Sequence, residues 1–211
     1  MNFSYWFGHR VFRELALGLF DYRVVGAEKL QFSGPAIIAC NHVSFLDPPL
    51  VGIAFDEMVY SFARKTLFNH PLAAKILRSW QVLAVDRDKP DAASLKNIIR
   101  LLRDGNKVIM FPEGTRAPRG KKGTYQTAGT RLAVQSGAPV VPIAVATARC
   151  WPKEGFVKRG GVATVSIGPL IESKGRDPKA LMREAEAWIE AELRRIDPQA
   201  YQLDAPVVTT H

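Results

Sequence analysis

Long apolar runs are missing from this chain of 211 residues. No segment offers the roughly 18 uncharged apolar residues of a membrane-crossing helix, so no conventional span is expected. Cysteine is scarce as well: Cys40 and Cys150 stand 110 positions apart, each beside an apolar run, AIIAC and VVPIAVATARC. Such placement fits buried thiols in a reducing compartment and not a disulfide framework. His9, His42, His70 and His211 are scattered, so no close-spaced Cys/His set points to zinc and no metal is expected. Arg10, Arg13 and Glu14 interrupt what would be the apolar core of a secretory signal. Repeats, low-complexity tracts and Pro/Ser-rich linkers are also lacking.

Basic residues are in excess: 29 Lys and Arg face 20 Asp and Glu, a formal balance of +9. With 47% hydrophobic and 23% charged residues the composition is that of one ordinary compact domain. The charge implies a negative partner, whether nucleic acid, a phosphorylated small molecule or an anionic membrane surface.

Residues 1–22, MNFSYWFGHRVFRELALGLFDY, contain seven aromatics. At helical spacing Tyr5, Phe7, Val11, Phe12, Leu15, Ala16 and Leu19 share one side; Asn2, His9, Arg10, Arg13 and Glu14 share the other. An amphipathic helix of this kind suits the plane of a membrane interface, or packs on the domain like any surface helix. Downstream, β-rich runs at 36–40, 58–62, 82–85, 107–111, 139–145 and 162–168 alternate with helical patterns at 48–55, 71–79, 91–104, 127–137 and 178–196. The alternation predicts an α/β fold with a mostly parallel central sheet flanked by helices.

Ligands in such sheets gather at the carboxyl ends of strands. Three segments there carry chemistry. NHVSFLDPP (41–49) places His42 and Asp47 five apart, about 140° around a helix, so they meet only if the chain turns between them. Asp47-Pro48-Pro49 supplies the turn, because the residue before proline avoids helical backbone and proline suits a helix's first position. An imidazole held by a carboxylate has one tautomer and a basic nitrogen aimed outward, as a general base needs. Ser44 lacks the G-x-S-x-G elbow of a nucleophile. VLAVDRD (82–88) sets Arg87 between two aspartates, where solvated salt bridging is the default. KVIMFPEGTRAPRGKKG (107–123) presents Glu113, Gly114, Thr115 and Arg116, then Arg119, Lys121 and Lys122. Backbone amides near Gly114, the Thr115 hydroxyl and the forked Arg116 guanidinium are good phosphate donors.

NHVSFLD, VDR, FPEGTR and VVPI, in this order and spacing, resemble the four blocks of the 1-acylglycerol-3-phosphate acyltransferase family, within the glycerolipid acyltransferase superfamily; the likeness runs from Tyr22 to Gly168. It implies transfer of a fatty acyl group from an acyl carrier protein or coenzyme A thioester to the free hydroxyl of lysophosphatidic acid, giving phosphatidic acid. His42 and Asp47 would be the general-base pair. Asn41, Arg87, Glu113, Gly114, Thr115 and Arg116 would bind substrate. Neither a covalent intermediate nor a cofactor beyond the thioester co-substrate is implied. Val141 and Ile143 fall in the block associated with the acyl donor, or serve as sheet core. Gln81, Ala117 and Gln126 depart from the family pattern and leave glycerol 3-phosphate, a lyso-ornithine lipid or another lysophospholipid open as acceptor.

A lipid acceptor favours the membrane-interface reading of the first helix, since each methylene drawn into water costs about 0.8 kcal/mol. The expected organisation is an interface helix over 1–22 and a single acyltransferase domain over 23–211, peripheral or monotopic on the cytoplasmic face of the membrane. No nucleic-acid-binding motif accompanies the basic residues, so nucleic acid is not expected as a partner.

Overall fold

The computed structural model describes residues 3–86, 92–157 and 160–202. Seven strands form one sheet: β1 (Asp21–Val25), β2 (Ala36–Cys40), β3 (Val59–Arg64), β4 (Val82–Val85), β5 (Lys107–Met110), β6 (Val140–Ala146) and β7 (Val162–Ile167). Their order is β1-β7-β6-β2-β5-β3-β4. All neighbouring pairs are parallel except β6 and β7, which run antiparallel. The helices are α1 (Phe3–Leu19), α2 (Asp47–Gly52), α3 (Pro71–Ser79), α4 (Ala92–Arg103), α5 (Ala128–Ser136), α6 (Pro178–Ile196) and a single turn, α7 (Pro198–Tyr201).

Alternation along the central strands builds two cores. Ile38, Cys40, Ile109, Val141 and Ile143 point to the face covered by α1 and α2. Ile37, Ala39, Val108 and Val140 point to the face where Ile98, Leu102, Leu132 and Leu181 come from α4, α5 and α6. A strand buried on both faces reads as a continuous apolar run, and AIIAC is buried at all five positions. Val141 and Ile143 are core. Both cysteines are buried and free. At the amino end of β5, buried Lys107 pairs with Glu57 at 2.5 Å and donates to the Phe32 carbonyl. Asp177 caps α6, accepting from the Ala180 amide at 2.8 Å ahead of Pro178.

Two features differ from expectation. The segment read as the end of the first helix, Asp21-Tyr22, opens β1, so a boundary at residue 22 falls inside a strand. DYRVV alternates at the sheet margin without a continuous apolar run, and its strand character comes from pairing with β7. The apolar side expected of the first helix also divides. Tyr5 and Ala16 are buried in the body, and Phe12 meets Trp80 edge-on at 5.2 Å. His9, expected outside, is buried with Nε2 3.1 Å from the Phe55 carbonyl, and burial pushes its pKa down. Phe3, Phe7, Val11 and Leu15 form a separate stripe that remains exposed, Phe3 at 81% and Phe7 at 62%. No helix among the described residues is long and apolar enough to cross a membrane.

Candidate active site

Three adjacent strands, β6-β2-β5, deliver their carboxyl ends to one place. His42 and Asp47 follow β2, Glu113 to Arg116 follow β5, and Thr147 follows β6. The turn between His42 and the first turn of α2 closes the pair: Nδ1 of His42 lies 2.8 Å from Asp47 Oδ2. That oxygen also accepts from the amides of Val43 and Ser44, each at 2.7 Å. The Thr147 hydroxyl donates to the other carboxylate oxygen, Oδ1. Asp47 is 0% exposed, and these four donors compensate the burial of its charge. They also fix the imidazole: with Nδ1 donating to Asp47, Nε2 is the nitrogen free to take a proton. Phe111 stacks on the ring, centroids 4.3 Å apart, and limits its rotation.

The loop after β5 is tied to His42 from both sides of its backbone. The His42 amide donates to Glu113 Oε1 at 3.3 Å, and the Ala117 amide donates to the His42 carbonyl at 2.7 Å. Glu113 therefore points inward, and its second oxygen is buried without a hydrogen-bond partner. Burial, the largest cause, pushes its pKa up to about 8; Glu190 and Asp47 act in the same direction. Gly123 lies against it, for a Cβ there would come within 2.8 Å of the carboxyl group. Gly114, with φ of +67°, makes the turn that exposes Thr115. The Arg116 guanidinium lies over the Phe45 ring at 3.5 Å and donates to the Lys153 carbonyl at 3.4 Å.

A cavity of about 590 Å³, mostly apolar, opens beside the pair and has His42, Phe111, Thr115 and Arg116 at one end. It continues along β3 past Ser61 to Val59, with Tyr5 and His9 of α1 at the far end and Ile76, Leu77 and Trp80 as a side wall. Register places Val59 beside Lys107, four residues before the level of Phe111, so the cavity runs about 13 Å down the strand. Its size is that of a small-molecule or acyl-chain site.

Of the residues singled out in the sequence, His42, Asp47, Glu113, Gly114, Thr115 and Arg116 converge here. Asn41 is adjacent but turned into the sheet: its Nδ2 donates to the Val145 carbonyl and its Oδ1 accepts from the Val145 amide, at 3.1 and 2.7 Å. Both ends of its amide are thereby engaged in bracing β2 against β6. Arg87 lies outside the described residues. Arg119 and Lys122, further along the same basic segment, are paired with Asp197 and Glu186. Thr147 was not legible, standing 100 positions from its partner with no local pattern to mark it. The lining from α1 was hidden because His9 reads as polar surface.

Residues 21–146 match the family model described as Acyltransferase. A 1-acyl-sn-glycerol-3-phosphate acyltransferase of Pseudomonas aeruginosa is 33% identical over 192 residues, covering 88% of this chain and 74% of that protein. The chloroplastic enzyme of the same name, LPAT1, from Arabidopsis thaliana is 30% identical over 162 residues, covering 74% of this chain but 45% of the relative. Among solved structures, the crystal structure of the 1-acyl-sn-glycerophosphate (LPA) acyltransferase PlsC from Thermotoga maritima superposes with a TM-score of 0.75 at 26% identity, covering 92% of this chain and 78% of that one.

Proposed function

The chain belongs to the acyltransferase family, and from that premise we propose that it moves a fatty acyl group from an acyl carrier protein or coenzyme A thioester to the free hydroxyl of 1-acylglycerol 3-phosphate, giving phosphatidic acid. The observation that carries this reading is the His42–Asp47 pair at the end of an apolar cavity, with Thr115 and Arg116 at the same end. An amphiphile with a phosphate head and a long chain fits such a site. His42 Nε2 takes the proton as the acceptor oxygen attacks the thioester carbonyl. The C–O bond forms, the C–S bond breaks, and the thiolate leaves and is protonated. Asp47 stabilises the imidazolium formed on the way. Base catalysis of this kind contributes about 10² to 10⁴ in rate. Thr115, Arg116 and the amides near Gly114 hold the phosphate so that attack is directional, an effect that supplies roughly 7 to 11 kcal/mol in well-oriented reactions. The same reading places the protein on the membrane surface, since its acceptor resides in the bilayer and the stripe of α1 is free to meet it.

The test is to supply purified protein with lysophosphatidic acid and either thioester. Wild type is expected to form phosphatidic acid, and His42→Ala to fall by about 10² or more. No product from wild type, or equal product from the variant, overturns the reading. Glycerol 3-phosphate in place of lysophosphatidic acid identifies the acceptor.

A further inference from the structure

Residues 113–126 form no helix or strand, yet they carry the groups at the phosphate end of the cavity. A loop without secondary structure keeps one shape only if its side chains are anchored elsewhere. The first limb is anchored on the His42 backbone. The second limb, 118–125, is anchored on the carboxyl-terminal part of the chain, beyond residues 21–146 that match the family. Lys122 pairs with Glu186, and the Tyr125 hydroxyl donates to Glu190 at 3.1 Å; the two glutamates stand one turn apart on α6. Arg119 donates to Asp197 through Nε at 2.7 Å and Nη2 at 2.6 Å. Next to it Gly120, at φ of +76°, passes so close to α7 that a Cβ would come within 2.2 Å of the Ala200 carbonyl oxygen.

Asp197 is the most consequential of these anchors. It is 7% exposed and lies between α6 and α7. Besides Arg119 it receives Arg149 at 2.8 Å, and Arg149 stands two residues beyond Thr147. One buried carboxylate thus joins the loop after β5, which presents Arg116, to the loop after β6, which holds Asp47 through Thr147. A forked guanidinium on a carboxylate fixes orientation as well as distance.

We propose that Asp197 is a positioning residue for the acceptor's phosphate group, acting through Arg119 on the loop that presents Gly114, Thr115 and Arg116. This rests on the function proposed above. It assigns Arg119 to shaping the site, with Arg116 left to meet the phosphate; among the described residues Arg116 has no carboxylate partner.

The experiment compares wild type with Asp197→Asn and Asp197→Glu in steady-state acylation of lysophosphatidic acid. Asp197→Asn is expected to raise the acceptor KM about tenfold, within the range for residues joined in one ion-pair network, with kcat and the thioester KM within about twofold. Asp197→Glu is expected to recover part of the loss. An unchanged acceptor KM in a folded variant, or kcat and thioester KM shifting equally, overturns the proposal. If Asp197→Asn does not fold, Arg119→Ala must reproduce the rise in acceptor KM, since it frees the loop while Asp197 keeps Arg149; a normal KM there overturns it too. Amide hydrogen exchange across 113–118, which needs no substrate, is expected to quicken about tenfold in Asp197→Asn or Arg119→Ala. Unaltered exchange sinks the inference even if wild type proves inactive on lysophosphatidic acid, whereas quickened exchange with an inactive wild type sinks only the proposed reaction.

Discussion

Glu113 is surrounded by groups that disfavour its charge. Burial, with Glu190 and Asp47 nearby, outweighs the hydrogen bond from the His42 amide and raises its pKa from 4.5 to about 8. Between those two values the folded protein holds a proton that the unfolded chain has released. Folding then takes up a proton, so this group's contribution to stability falls as pH rises through the window, and the penalty is complete above about 8. Glu113→Gln keeps an acceptor for the His42 amide and cannot ionise. Its Tm relative to wild type is expected to climb steadily between pH 5 and pH 8 and then level off; thermal denaturation across that range checks it, and parallel curves would refute it. What could be read in advance at this scale was residue type, not direction. E-G-T-R reads as a candidate phosphate loop, but that its carboxylate turns inward to the His42 amide depends on Gly123 and α6, which no local pattern connects to it. Asn41, likewise, follows a strand beside the key histidine and still spends its side chain on β6.

At the scale of elements, α1 has two apolar stripes with different duties. Tyr5, Phe12 and Ala16 belong to the body, and Tyr5 and His9 wall the cavity. Phe3, Phe7, Val11 and Leu15 recur every four residues on the side left open. Deleting the whole helix would damage the core and say little about a membrane, whereas Phe7→Ser with Val11→Ser leaves the packed side intact. Burying such side chains is worth about 1.5 to 3 kcal/mol each, so the double variant is expected to bind phosphatidylglycerol-containing vesicles at least about tenfold more weakly. Its folding stability should move by no more than about 0.5 kcal/mol per substitution. Co-sedimentation and thermal denaturation measure both, and undiminished binding would remove the stripe from membrane contact. Helical periodicity revealed one broad apolar side because it counts residues and not neighbours; only packing against Trp80 and Phe55 separates the stripes. The central strands were legible for the opposite reason, since a strand buried on both faces is apolar whatever its neighbours. β1 lacks that property, and its first two residues were read into the helix.

Over the whole molecule the balance of +9 remains the feature most exposed to solution conditions. Several cations on the loops after β5 and β6 are spoken for, Arg119 and Arg149 by Asp197 and Lys122 by Glu186. The net field survives such pairing and would draw the protein toward an anionic bilayer at about 1 kcal/mol per basic residue near the surface. Vesicle binding is therefore expected to weaken about tenfold or more between about 0.1 and 1 M salt, as the screening length shrinks from about 10 to 3 Å. Binding that survives undiminished would leave only the apolar stripe to account for it. The antiparallel pairing of β7 with β6 has a mechanical consequence on the same scale. It starts β7 at the end of the sheet that carries His42, so β1, parallel to β7, starts there too. The last turn of α1 is consequently bolted at that end of the sheet, at the β1 edge, the Gly160 amide donating to the Leu19 carbonyl and the Asp21 amide to the Gly161 carbonyl, each near 3 Å. Had β7 run with β6, that fastening would stand at the opposite end. As built, a load on α1 is carried by a pivot at the end of the sheet that carries His42, three strands away from β2, and its lever arm reaches to the cavity floor at Tyr5.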